Sequence, residues 1–186
     1  VAHELNRNGF SRDRYKFAQS DTRNIVRVCA PLSVPAFGYA NVLVKAENKP
    51  TRHLGSMAVS PREIENEYFS VRAEDNGTIS VRDKRTGMTY LDFLTFENRA
   101  DIGDGWYHGM AVNDRIYTSS ASGADIALVS DGIGKATLRI AVTMNVPEEF
   151  DFKEMKRSCS IKPLHIVSDV TLRRGADRIE ISTEVE

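Results

Sequence analysis

The sequence predicts an all-β protein built as an antiparallel β-sandwich. Three features carry that expectation: short β-branched runs that alternate apolar and polar residues, turns bearing glycine or asparagine at even spacing between them, and almost no stretch with helical periodicity. With 186 residues and 41% hydrophobic content, the chain can bury a core, either as one large β domain or as a small and a medium one.

Residues 1–20 are polar and charged without a sustained period, so the first ordered element is expected to begin late. Residues 24–30 are β-branched and half alternating, which predicts a strand. Pro31 and Pro35 break any helix in the next segment, and Gly38 suits a turn, with Phe37 and Tyr39 expected to serve packing. Strand character resumes over residues 40–46 and a turn closes it at 47–51. Residues 52–62, mixed in character and ended by Ser60-Pro61, form the expected linker. The domain division that follows is the end of a small β domain plus linker over 1–59, and the first part of a larger sandwich over 60–186.

Within that larger part, strand-like runs at 67–73 and 78–82 flank Glu74-Asp75-Asn76-Gly77, where the Asn-Gly pair is expected to supply the positive φ of a tight hairpin turn. A second turn at Lys84-Arg85-Thr86-Gly87 leads into residues 88–91. Residues 125–130 and 135–144 form a second hairpin around Asp131-Gly132-Ile133-Gly134. Residues 147–157 start with proline and carry acids early and bases late, yet Phe150, Phe152 and Met155 hold no helical stripe, so a loop and one short helix both stand. Residues 164–172 alternate as a long strand, turn at 173–177, and run back over 178–186. That last alternation is in full stride at Glu186, and a piece of a longer polypeptide is expected.

Composition excludes several classes of function. Acids and bases are intermixed with a net charge of −1, which gives no basic face for DNA, RNA or an anionic membrane. No apolar run approaches the ~18 residues of a spanning helix, and no export signal is in view, so a soluble, cytoplasmic chain is expected. Cys29 and Cys159 belong to no Cys-x-x-Cys pair and are expected to be reduced, half-buried strand residues. His3, His53, His108 and His165 lack metal-ligand spacing, so neither a metal site nor another cofactor is expected in this chain.

Chemistry concentrates between Glu97 and His108, where acids, glycines and aromatics are stacked in one loop. Asp101 and Asp104 admit two readings: carboxylates that accept hydrogen bonds from vicinal hydroxyls, or turn residues that with Gly103 and Gly105 build the loop. Trp106 and Tyr107 offer flat amphipathic rings; core or interface packing is the expected role of Trp106, the only tryptophan, and Tyr107 stays open. His108 is expected to be exposed or hydrogen-bonded. Glu65 and Glu67 are expected to point outward, since two like charges on one strand face repel. Arg173 and Arg174 are expected at a solvated turn.

The order of five segments is informative: Val34-Pro35-Ala36-Phe37-Gly38-Tyr39; Ile64-Glu65-Asn66-Glu67-Tyr68; Asn76-Gly77-Thr78-Ile79 with Asp83-Lys84-Arg85-Thr86-Gly87; Phe96-Glu97; and Asp101-Ile102-Gly103-Asp104-Gly105-Trp106-Tyr107. In this order they resemble the C-terminal β region of glycoside hydrolase family 38, the α-mannosidases, and above all its bacterial branch. The family commonly sets an aromatic two residues after the second aspartate; Trp106 holds that place here, with Tyr107 beside it. The resemblance implies a galactose-mutarotase-like supersandwich, present in part. It also implies a parent enzyme that is a zinc-assisted retaining hydrolase of α-mannosides. Its nucleophile and zinc ligands would lie in an N-terminal catalytic domain of the same polypeptide, absent here, so this piece alone is expected to be inactive with no catalytic residue of its own. Asp101, Asp104, Trp106 and Tyr107 are its expected substrate-binding residues, and a mannoside and the catalytic domain its partners. Open sheet edges leave room for a homo-oligomer. An independent carbohydrate-binding sandwich and a purely structural β module are the alternatives.

Overall fold

The computed structural model describes residues 2–6, 25–29, 32–43 and 55–186. The chain divides into two compact units, Val1–Pro50 and Thr51–Glu186.

In the first unit, β1 (Ala2–Asn6) pairs antiparallel with β2 (Ile25–Cys29), from Ala2 opposite Cys29 to Asn6 opposite Ile25. β2 is the strand expected from its β-branched residues. β1 was not expected, because its polar sequence carries no period of its own; the pairing with β2 provides the ladder bonds that its composition does not announce. The turn after Pro35 is present, with the Gly38 amide donating to the Pro35 carbonyl at 3.0 Å. Phe37, not Gly38, takes the positive φ of 57°. Phe37 and Tyr39 are both exposed rather than packed. Residues 40–43 are irregular where a strand was expected. Residues 44–46, the turn at 47–51 and the first part of the expected linker, with His53, lie outside the described residues.

The second unit opens with β3 (Ala58–Ser60), inside the segment expected as linker. Its order has a visible cause. Asp131 Oδ1 accepts hydrogen bonds from the Met57 and Ala58 amides at 2.9 and 3.2 Å, and Oδ2 accepts one from Ser56 Oγ at 2.5 Å. A carboxylate on a distant turn thereby fixes the strand. β4 (Glu63–Glu65), β5 (Phe69–Ala73), β6 (Ile79–Asp83) and β7 (Thr89–Phe93) follow, and β3 to β7 form an antiparallel five-stranded sheet in chain order. A short ribbon of β8 (Glu97–Asn98) and β9 (Tyr117–Thr118) comes next, then a 3₁₀ turn at Ser119–Ala121. β10 (Ala124–Ser130) and β11 (Lys135–Pro147) start the second sheet. The ribbon of β12 (Phe150–Asp151) and β13 (Lys156–Arg157) interrupts it before β14 (Ile161–Arg173) and β15 (Glu180–Val185), and β10-β11-β14-β15 is the antiparallel order.

One core joins the two sheets. Ile64, Val71, Ala73, Ile79 and Val81 from the five-stranded sheet are buried in the same cluster as Ala136, Leu138, Ile140, Val142 and Met144 of β11 and Ile166, Val170 and Leu172 of β14. Every second residue of β11 from Ala136 to Val146 is buried, the period-2 pattern of a strand with one face on a core. Fully burying a residue such as Ile64 or Leu138 contributes about 1.5–3 kcal/mol of transfer free energy, so this face-to-face contact holds the two sheets as a sandwich.

The turns refine the sequence expectations. Between β5 and β6, the Gly77 amide donates to the Glu74 carbonyl at 2.9 Å and Gly77 alone takes positive φ, at 82°. Asn76 instead uses Oδ1 to accept from the Thr78 amide and hydroxyl at 3.1 and 2.8 Å. Gly77 is also buried, and a Cβ there would run into Val142 Cγ2 and sit 3.0 Å from Ala124 Cβ, so both conformation and space demand glycine. Gly87, at φ 74°, closes the next turn as expected. Residues 147–157 form no helix: β12 and β13 pair as a ribbon whose turn begins with Asp151 Oδ1 accepting from the Lys153 amide at 2.9 Å. Cys159 is free and exposed in the bend after β13, not half-buried in a strand. The side chain of Cys29 lies outside the described residues. Glu65 and Glu67 point outward as expected.

Candidate functional site

The acid-rich loop rises from the β8–β9 ribbon, where Glu97 faces Thr118 and Asn98 faces Tyr117. Its base is closed by reciprocal bonds between Phe96 and Ser119: the Phe96 amide donates to Ser119 Oγ, and the Ser119 amide to the Phe96 carbonyl, both at 2.9 Å. One step up, the Ala100 amide donates to Asp114 Oδ2 at 2.6 Å, joining the two stems. Asp101 then bridges to Met110, and the Ile102 amide donates to the Gly109 carbonyl at 2.9 Å.

Both candidate aspartates build this loop, Asp104 with one oxygen and Asp101 with both. Asp101 Oδ1 accepts from the Gly103 and Gly109 amides, both at 2.9 Å, and Asp101 Oδ2 lies 3.2 Å from His108 Nδ1. Asp104 Oδ1 accepts from the Trp106 and Tyr107 amides at 2.8 and 2.9 Å. Gly103 and Gly109 are pressed together: a Cβ on Gly103 would lie 2.6 Å from the Gly109 nitrogen, and one on Gly109 would lie 2.8 Å from Gly103 Cα. Those positions exclude any larger residue while the loop keeps this form.

The bonds from the Gly109 and Gly103 amides, then His108, hold the Asp101 carboxyl down at about 2, against its ordinary 3.8. Because the folded value is depressed, the contribution of Asp101 to loop order is fully present above about pH 4 and lost as pH falls through about 2. Amide resonances of Gly103 and Gly109 followed by NMR are expected to stay at their neutral-pH positions down to about pH 3 and to move together below it. Movement centred near the ordinary carboxyl value would contradict the observed hydrogen bonds.

The loop brings all four sequence-predicted residues, Asp101, Asp104, Trp106 and Tyr107, onto one exposed hairpin tip. Trp106 is 89% exposed and Tyr107 77%, so Trp106 fills no core within this chain. The Trp106 and Tyr107 backbone amides are fixed by Asp104, and both rings stand in solvent. His108 is exposed and against Asp101, as expected. The loop offers carboxylate acceptors and ring faces, which is chemistry suited to binding and orientation.

Sequence reasoning missed the residues that hold the loop from below. Arg157 Nη2 donates to Asn98 Oδ1 at 2.5 Å, its guanidinium carbon lies 5.5 Å from the centre of the Tyr117 ring, and its Nη1 lies 3.6 Å from Asp114 Oδ1. No local pattern marks Asp114, and Arg157 lies on a different ribbon, so only the fold reveals the cluster. Among the described residues, no group of three or more His, Cys, Asp or Glu side chains is arranged to hold a metal ion, and no helix is long and apolar enough to cross a membrane.

Known proteins resemble this chain over the same elements. A protein of Halalkalibacterium halodurans named "Putative mannosylglycerate hydrolase" is 26% identical over 99% of this chain and 22% of its own length. A crystal structure of a protein in glycosyl hydrolase family 38 from Enterococcus faecalis superposes with a TM-score of 0.70 at 26% identity, covering 76% of this chain and 19% of that one. A crystal structure of an alpha-mannosidase from Enterococcus faecalis gives a TM-score of 0.67 at 27% identity, over 76% of this chain and 18% of that one. The chain thus spans about a fifth of the length of these relatives. The family described as glycosyl hydrolases family 38 C-terminal domain matches residues 64–186, from β4 through the acidic loop to the end of β15, and to that family the chain belongs.

Proposed function

We propose that this chain is the C-terminal β portion of an α-mannosidase-type glycoside hydrolase, without catalytic residues of its own, which supports the active site and contacts a mannoside through the Asp101–Tyr107 loop. The single observation that carries the contact is the exposed Trp106-Tyr107 pair on a hairpin stapled by Asp101 and Asp104. Asp104 spends Oδ1 on the loop, and in this proposal its Oδ2 accepts a sugar hydroxyl, an ionised acceptor making the stronger bond, while Asp101, bonded through Oδ1 to two amides and through Oδ2 to His108, offers its remaining lone-pair directions. The longer polypeptide would supply the catalytic carboxylates and the zinc expected with them, and would work in the cytoplasm. Support for the activity comes from the family and from the relatives' names.

The independent sugar-binding module is the second reading, favoured by the same exposed rings. A titration separates the two. The purified 186-residue chain is expected to leave an aryl α-mannoside unhydrolysed and to show no saturable change in Trp106 fluorescence with mannose or methyl α-mannoside. Saturable binding would favour the independent module, and hydrolysis by the chain would overturn both readings.

A further inference from the structure

We infer that Asp114 and Arg157 are the positioning pair of the Asp101–Tyr107 loop, an inference that rests on the proposed function for its consequence but not for its geometry. The tip of the loop is exposed, whereas its foundation is not: the Arg157 side chain is 10% exposed and that of Asp114 12%. Arg157 reaches both stems of the loop at once. Its Nη2 holds Asn98 on the outgoing stem, its Nη1 faces Asp114 on the returning stem, and the guanidinium lies over Tyr117, where that stem rejoins the ribbon. Asp114 in turn crosses to the outgoing stem through the Ala100 amide.

Two atoms in this cluster, Asp114 Oδ1 and Arg157 Nη1, are buried without a hydrogen-bond partner and face each other across 3.6 Å. With the carboxylate and the guanidinium buried and facing each other, removing either takes from the other its opposite charge in a site of low dielectric. The fork of arginine is what allows one side chain to serve two stems; lysine carries a single ammonium and can hold one of them. A small shift at this base is carried outward by the rigid hairpin to Trp106.

The test reads the loop directly, before any substrate is involved. In the 186-residue chain, hydrogen exchange is measured at Ile102 and Gly109, whose amides are bonded within the loop, and at core amides of Ile140 and Val142. Arg157→Met and Arg157→Lys are expected to speed exchange at Ile102 and Gly109 by at least about tenfold while the core amides change by much less, with the lysine variant the milder. Steady-state anisotropy of Trp106 is expected to fall in the same order. Equal acceleration of loop and core, or no change in either, would overturn the inference by reducing the pair to general stability or to nothing.

In the longer polypeptide, Arg157→Lys is expected to lower kcat/KM toward a mannoside by up to roughly a hundredfold, as small misplacements of positioning groups do. Loosened exchange with unchanged turnover would leave the positioning of the loop intact and count against the proposed substrate contact instead, so the two failures are distinguishable.

Discussion

Replacing Asn66 with alanine is expected to cost the sandwich about 3 kcal/mol. Asn66 is 8% exposed and makes four side-chain hydrogen bonds. Its Oδ1 accepts from the Tyr68 and Phe69 amides at 2.9 and 2.8 Å, shaping the turn between β4 and β5. Its Nδ2 donates to the Arg173 and Ala176 carbonyls, both at 2.9 Å, at the turn between β14 and β15. One amide therefore pins the five-stranded sheet to the far end of the four-stranded one. Glu67 reinforces the same junction by accepting from the Gly175 amide at 2.9 Å, the main cause of its lowered carboxyl pKa.

Alanine would strand the Tyr68 and Phe69 amides and the Ala176 carbonyl, the Arg173 carbonyl keeping the Ala176 amide at 3.3 Å, and a buried polar group left unpaired costs about 1–3 kcal/mol. Some of these three will find water at the turn, which sets the sum at about 3 kcal/mol rather than about 6. For a chain of this size, that corresponds to a melting temperature lower by about 6–12 °C. Asn66→Asp separates the two halves of the amide. It keeps the acceptor for Tyr68 and Phe69 but turns a charged oxygen toward two carbonyls, so its carboxyl pKa in the folded state is expected to rise. A raised carboxyl makes the variant regain stability as pH falls toward the unfolded value, opposite in sign to the dependence of Asp101. Chemical denaturation at pH 7 and pH 5 measures both. Wild-type stability in Asn66→Ala would show that the junction does not hold the sheets together.

Much of the second sheet was legible because its strands are long and one-sided. Residues 125–130, 135–144 and 164–172 alternate cleanly, and a strand with one face on a core has no other pattern available. Gly77 and Gly87 marked their turns because each takes a φ that other residues resist. What stayed hidden depends on contacts distant in sequence. β3 is ordered by Asp131, which lies on another turn, and a stretch of mixed composition read in isolation looks like linker. The β12–β13 ribbon is too short for a period, and its register comes from the turn that Asp151 starts.

The loop was legible in its tip and not in its base. Acids, glycines and aromatics side by side announce a structured surface loop, and of the two readings offered for Asp101 and Asp104 the turn builder is visible in both, Asp104 spending Oδ1 on the backbone and Asp101 spending Oδ1 on the backbone and Oδ2 on His108. Of the core and interface roles expected for Trp106, the core role is absent: the buried cluster is aliphatic, with Phe69, Phe96 and Tyr117 packed against it, and the indole is left outside.

The account turns on whether that exposed tip meets substrate, and the most direct measurement is kcat/KM toward a mannoside for Asp104→Asn and Trp106→Ala in the longer polypeptide. Asparagine keeps the side-chain oxygen that accepts from the Trp106 and Tyr107 amides, so the loop survives while the charge is lost. Losing a hydrogen bond to a charged acceptor costs about 1.5–3 kcal/mol, or roughly tenfold to a hundredfold in kcat/KM. Removing a stacked ring costs about 0.5–1.5 kcal/mol, or roughly twofold to tenfold. Both variants are expected to show these losses with melting temperatures within about 2 °C of the unaltered protein, since both side chains are exposed. Unaltered kcat/KM in both would contradict the account and leave the loop as scaffold.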